Sequence, residues 1–414
     1  MRATEGSFIG RSILSIRRNQ VNSIDGNHEQ ELEDLEFFQK HVSDRFTDLL
    51  HCQSPQPPAS LVDDSPSATS GDGSAAVSSV DNILSIAWLR KLLDSFLCCE
   101  AEFKAVLVIG RDPSQFTKAP LDRLVPEFLD RAVKALDVCN AISHGVESIR
   151  HWQKLAEIAV SALQQSPFSE GQVRRARKAL NVLVTSMALD EKESNSNKTT
   201  ERNWSFGRRG GAAAAHKEQN AGHFRSLSWG VSRSWSASKQ IQAMASNLWA
   251  PRGNEANSVA QAVYIMSVVL TLVTWVLVAT VPCQERMGLA SHLPVPRNVG
   301  WAQSMFGLQE KITEEWKKKE KKGTAGLLEE LQKIDKLGQS LFELADSFSY
   351  PPEEQKVEEI VSLVSELDDT CRKMEDGLVP LQRQVREVFH RIVRSRTEIL
   401  EIIDQAGKLS SPMN

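Results

Sequence analysis

Paired cysteine is missing from this 414-residue chain. Its six cysteines, Cys52, Cys98, Cys99, Cys139, Cys283 and Cys371, form no C-x-x-C pair, and two are adjacent. Zinc-ligand spacing and a secreted disulfide framework are therefore excluded, and a reducing, cytoplasmic compartment fits best. An excess of one charge is missing too. Lys plus Arg is 49 and Asp plus Glu is 53, a net charge of -4, which gives no electrostatic case for nucleic acid as a partner. The opening MRATEGSFIGRSILSIRRNQ has no apolar core before a small-residue cleavage site, so no secretory signal is read there, and Arg2 stands where myristoylation needs glycine. Also absent are a phosphate loop, a G-x-S-x-G elbow and a dinucleotide fingerprint after a strand; Gly207, Gly210 and Gly211 lie in polar sequence where they confer only flexibility. The expectation is a non-enzymatic protein with no cofactor, no metal and no catalytic residue.

What is present is helical patterning. Hydrophobic residues make up 41% of the chain, enough for a sizeable core. Leu32, Leu35, Phe38, Val42, Phe46 and Leu49 recur every three or four residues and line one helix face. Asp81 is a plausible N-cap for a helix through Trp88, Leu92, Phe96 and Phe103, with Gly110 placed to end it. Beyond Pro126 the pattern predicts one helix to about Ser143 and another carrying Val146, Ile149, Trp152, Ala156 and Leu163; Gly145, between His144 and His151, argues for a turn. Val173, Ala176, Leu180, Leu183 and Met187 form a further stripe. No strand-like alternation persists, so the fold class is all-α: a multi-helix bundle with long disordered inserts and one very apolar helix.

Composition divides the chain into a basic N-terminal arm (1–29), an N-terminal helical block (30–189) with a disordered loop (53–82), a disordered Ser/Arg/Trp linker (190–258), an apolar helix (259–283) and a C-terminal block (300–408). In that last block one heptad position reads Val357, Val364, Cys371, Leu378, Val385, Ile392, Ile399, and the other reads Ile360, Leu367, Met374, Leu381, Val388, Ser395, Ile402. Only Ser395 breaks the pattern. Gly377 and Pro380 would normally end one helix and start another, yet the phase passes through them, which fits a kinked helix or two in tandem. Val361, Leu363, Phe389 and Ile403 widen the stripe beyond what a two-stranded coiled coil needs, which favours a bundle core. The run KKKEKK from Lys317 to Lys322 reads as a solvated helix end, with contact to anionic lipid or an acidic partner as the other reading.

The linker places Arg225 three residues before Ser228 and Arg233 three before Ser236, a spacing accepted by basophilic kinases, so Ser228 and Ser236 are candidate phosphorylation sites beside a positive cluster. Together with this SWGVSRSWSASKQIQAMASNLWAPRG stretch, the segments SFIGRSILSIRRNQV, PLDRLVPEFLDRAVKALDVCNAISHGVESIRHWQKL and YIMSVVLTLVTWVLVATVPCQ resemble the plant ROH and BYPASS family over nearly the whole chain. The resemblance implies a helical regulator without catalytic residues. Its ROH branch is associated with an exocyst subunit as partner and with polarised secretion, such as cell-wall or mucilage deposition. Its BYPASS branch is linked to restraining a mobile root-derived signal that controls shoot and root development.

VYIMSVVLTLVTWVLVATV, Val263 to Val281, is long enough to cross a bilayer as a single pass. Ser267, Thr271 and Thr274 share one face, as in a helix packed closely inside a protein, while Tyr264 and Trp275 make only a partial aromatic belt before the run ends at Val281. Positive charge is equal on both flanks and defines no orientation. Both flanking blocks read as cytosolic, which favours a buried central helix or membrane association from the cytosolic side, with lipid as a second partner, over a full span.

Overall fold

The computed structural model describes residues 24–51, 82–108, 113–164, 168–195, 235–253, 257–283, 289, 293–320, 326–350 and 353–410. Among the described residues nine α-helices carry the fold: α1 (Ile24–His51), α2 (Ile86–Val108), α3 (Leu121–Leu163), α4 (Glu170–Asn195), α5 (Ala237–Ala245), α6 (Ser258–Thr280), α7 (Gln303–Glu320), α8 (Glu329–Asp346) and α9 (Glu354–Ser410). Short 3-10 turns at Pro113–Thr117 and Gly300–Ala302 precede α3 and α7. There is no strand among the described residues. The all-α bundle is as the periodicity requires.

The apolar helix α6 is the axis. It packs against α1, α2, α3, α5 and α7, and it is the one helix among the described residues long and apolar enough to cross a membrane. Every position from Ser258 to Thr280 except Gln261 is buried. Tyr264 meets Trp301 edge-on at 6.1 Å, and Trp275 and Val281 are buried. Each fully enclosed Val or Leu contributes about 1.5–3 kcal/mol. The polar groups on α6 are satisfied locally: the hydroxyls of Ser267, Thr271, Thr274 and Thr280 donate to the carbonyls of Val263, Ser267, Leu270 and Val276. Its ends are tied to protein. The Asn257 side chain accepts from Ala260 N at 2.7 Å, and the amides of Leu327 and Leu328 donate to the carbonyls of Ala279 and Thr280 at 3.0 and 3.2 Å.

Around this axis, α9 runs along α2, α3 and α8. Both heptad positions face the core from Ile360 to Ile399, and Val357 and Ile402 are partly buried at the ends. The chain is helical without a break through Gly377 and Pro380. Gly377 is a contact residue rather than a stop: a Cβ there would sit 2.7 Å from Ile86 Cγ2. Likewise the predicted break at Gly145 does not occur, and one helix runs from Leu121 to Leu163. A Cβ at 145 would lie 2.0 Å from Pro282 O and 2.7 Å from Val281 Cγ1, so this glycine admits the exit of α6 against α3. Tertiary approach, not a turn, accounts for both glycines.

Ser395, the gap in the heptads, faces a buried charge. Glu100 is paired to Arg391 at 3.3 Å; burial pushes its carboxyl up, opposed by Arg391, Ser395 and Lys104. At the opposite corner Glu330 of α8 caps α2, its two carboxylate oxygens accepting from Ile86 N at 3.1 and 3.2 Å, while Ser85 Oγ accepts from Trp88 N. The expected cap Asp81 and stop Gly110 lie outside the described residues. Glu329 N donates to the carbonyl of Leu84, whose backbone is left-handed at φ 75°. These contacts join the N-terminal and C-terminal blocks around one hydrophobic core.

Candidate functional site

The arrangement that most resembles a reactive centre joins α1 and α2. Arg45 grips Glu102 with both guanidinium nitrogens at 2.9 and 2.6 Å, His41 Nδ1 stands 3.0 Å from Glu102 Oε1, and Cys99 Sγ is 4.0 Å from Arg45 Nη1. A reactive cysteine needs a lowered pKa. Here burial pushes the Cys99 thiol up to about 12 despite the nearby Arg45 cation, so it stays protonated. Glu102 has both oxygens engaged. The cluster is an interhelical ion pair, which the sequence reading did not single out; Glu102 beside the apolar residues Cys99 and Phe103 was its signal.

Burial pushes Cys139 and Cys371 up to about 12 as well. His144 is exposed and lies 3.7 Å from Glu147, and His151 is also exposed. No group of three metal-ligating side chains occurs among the described residues. An open cleft of about 370 Å³ between the start of α2, α7 and α8 is lined by Lys311, Lys319, Glu314, Glu315 and Glu329 among others. Lys318, at the end of α7, pairs with Glu315. Lys317 and Lys318 are exposed, as a solvated helix end requires, and Lys321 and Lys322 lie outside the described residues.

The segment before α6 is more informative. The sequence assigns 190–258 to a linker, yet α4 extends to Asn195 and residues 235–253 are docked on the bundle. Ala237, Ile241 and Met244 bury one face of α5 against α3 and α6. These three residues at helical spacing were enough for this, although the linker as a whole is polar in composition. Arg131 of α3 locks the far end: Nε donates to the carbonyl of Met244 at 2.9 Å, and Nη2 to those of Ser246 and Asn247 at 3.1 and 3.0 Å. A cation on the last carbonyls of a helix also complements its dipole. Desolvation lowers the Arg131 pKa, partly offset by Glu127 at 3.7 Å.

Of the two candidate phosphorylation sites, Ser228 lies outside the described residues, as do residues 1–23 of the basic N-terminal arm and the loop before Asn82; residues 24–29 of the arm already belong to α1. Ser236 is buried, and its Oγ accepts from Lys239 N at 3.3 Å, capping α5. Trp235 is half-buried, whereas Trp249 projects into solvent.

The family model described as "Protein ROH1-like" matches residues 1–403. The chain belongs to the ROH1-like family. Among ROH1-like relatives, Protein ROH1A of Arabidopsis thaliana is 56% identical over 99% of this chain and 98% of its own length. Protein ROH1D of the same plant is 44% identical over 95% of this chain and 96% of its own. No solved structure matches the chain. Members of the ROH1-like family are plant regulators of the ROH and BYPASS type, not a known enzyme family.

Proposed function

We propose that this protein is a non-enzymatic helical adaptor in polarised plant secretion, binding an exocyst subunit at the cytosolic face of the membrane and regulating deposition of material such as cell wall or mucilage. The observation that carries the reading is family membership over residues 1–403, with 56% identity to Protein ROH1A over 99% of this chain. The matched relatives bear the ROH name, which favours that branch over a BYPASS-type restraint on a mobile root-derived signal. In this proposal α6 is the core of a water-soluble bundle, supported by helix ends bonded to Leu327, Leu328 and Asn257 rather than left for headgroups.

Co-purification of the full-length chain with individually purified exocyst subunits tests the proposal. Stable capture of one subunit is expected. Failure to capture any of them contradicts the adaptor reading, and a loss-of-function plant with ordinary secretion but an altered root-to-shoot signal would favour the BYPASS type instead.

A further inference from the structure

We propose that Trp249 and the exposed cations of its segment form a contact site for an anionic lipid bilayer, one that needs no insertion of α6. At 69% exposure Trp249 is the most exposed large apolar side chain among the described residues. Its position is built, not left over. Leu248 on one side and Pro251 on the other are buried. Asn247 holds a left-handed backbone at φ 58°, and Arg131 binds the carbonyls of Met244, Ser246 and Asn247. A loop fixed at three carbonyls and two apolar anchors presents its indole without an ordering cost at binding.

Charge selects the partner. From Trp235 to Gly253 the docked segment contains no Asp or Glu, whereas it carries Lys239 and Arg252, in a protein whose net charge is -4. Lys239 and Arg252 are exposed on the docked segment. An indole has an apolar body with one N–H donor and prefers the membrane–water boundary, where neighbouring cations meet anionic headgroups. A protein groove could also accept a tryptophan, but a docked segment whose own charges are all positive fits a uniformly negative surface. The contact is independent of the exocyst reading, since either can fail while the other stands.

The test is sedimentation of the full-length chain with vesicles of phosphatidylcholine alone and of phosphatidylcholine with phosphatidylserine. Trp249→Ala, Lys239→Glu and Arg252→Glu replace solvent-facing side chains, and thermal melting checks that the fold is kept. Wild type is expected to pellet with the serine-containing vesicles and hardly at all with the neutral ones. Trp249→Ala should weaken partitioning about tenfold, and each charge reversal by more than about fivefold. If wild type ignores anionic vesicles, or if Trp249→Ala partitions like wild type, the proposal is overturned. Loss of exocyst-subunit capture in Trp249→Ala with unchanged vesicle binding would overturn it in favour of a protein groove.

Discussion

Gly145 of α3 faces the carbonyl oxygen of Pro282 so closely that a Cβ at 145 would lie 2.0 Å from it. The chain leaving the buried axis helix therefore passes directly over the middle of the helix that supports it. Alanine would normally stabilise a helix interior by about 1 kcal/mol over glycine. Here the backbone oxygen cannot yield as a side-chain tip would, so Gly145→Ala is expected to destabilise the protein by about 1–3 kcal/mol. Gly407, with open space around its Cβ position, should tolerate alanine or gain stability. Urea unfolding of both variants checks the pair; a neutral Gly145→Ala would contradict the contact.

Much of this was legible in the sequence, and the misses share a cause. The heptads of α9 and the stripes of α1, α2 and α4 are local patterns, because burial of one helix face repeats with the helical period. Gly145 and Gly377 read as breaks because glycine's local preference is for turns. Their actual partners, Pro282 and Ile86, are far away in sequence, and no local rule reaches them. Glu330 as the cap of α2 and Arg131 as the clamp on α5 are hidden for the same reason. The docked part of the linker was masked by its polar composition, which reports average hydrophobicity and not the placement of Ile241 and Met244 on one face.

Glu330 gives the pH prediction. Burial pushes its carboxyl above the ordinary 4.5. The folded state therefore holds the proton more tightly than the unfolded state, and this group's stabilising contribution, complete below about 4.5, is lost as pH rises through the folded value. Glu330→Gln keeps an acceptor for Ile86 N but cannot ionise, so its stability relative to wild type should rise between acidic and neutral pH. Glu330→Ala removes the cap and should cost about 1 kcal/mol. Unfolding curves across pH decide it, and a wild-type-to-Gln difference that does not change with pH would contradict the burial argument.

Ser236 ties the candidate phosphorylation to the clamp. Its hydroxyl is buried at the start of α5, so a kinase reaches it only when the segment opens locally. A peptide covering 225–245 should be phosphorylated at Ser236 by a basophilic kinase at least about tenfold faster than the full-length chain. Arg131→Met, which removes the bonds to the end of α5, should bring the full-length rate toward that of the peptide. Mass spectrometry of timed reactions reads both rates; equal rates for peptide and wild-type chain would show that the segment is not held.

Thiol mapping probes the enclosure of the bundle. Cys99, Cys139 and Cys371 are buried, with thiols pushed up to about 12. Cys98 and Cys283 are partly accessible. Iodoacetamide at pH 8 should label the partly accessible pair first and reach the other three only on unfolding. Early labelling of Cys139 would mean that α3 does not pack as described.

In the proposed reading the apolar helix from Ser258 to Thr280 is the axis of a protein core and not a membrane span. Alkaline carbonate extraction of the unmutated protein from plant membranes tests it most directly, because it strips surface-bound proteins and leaves integral ones in the pellet. Release into the supernatant is the predicted result, with any bilayer contact made through Trp249 and its neighbouring cations. A fully resistant pellet would contradict the account and place α6 in the bilayer.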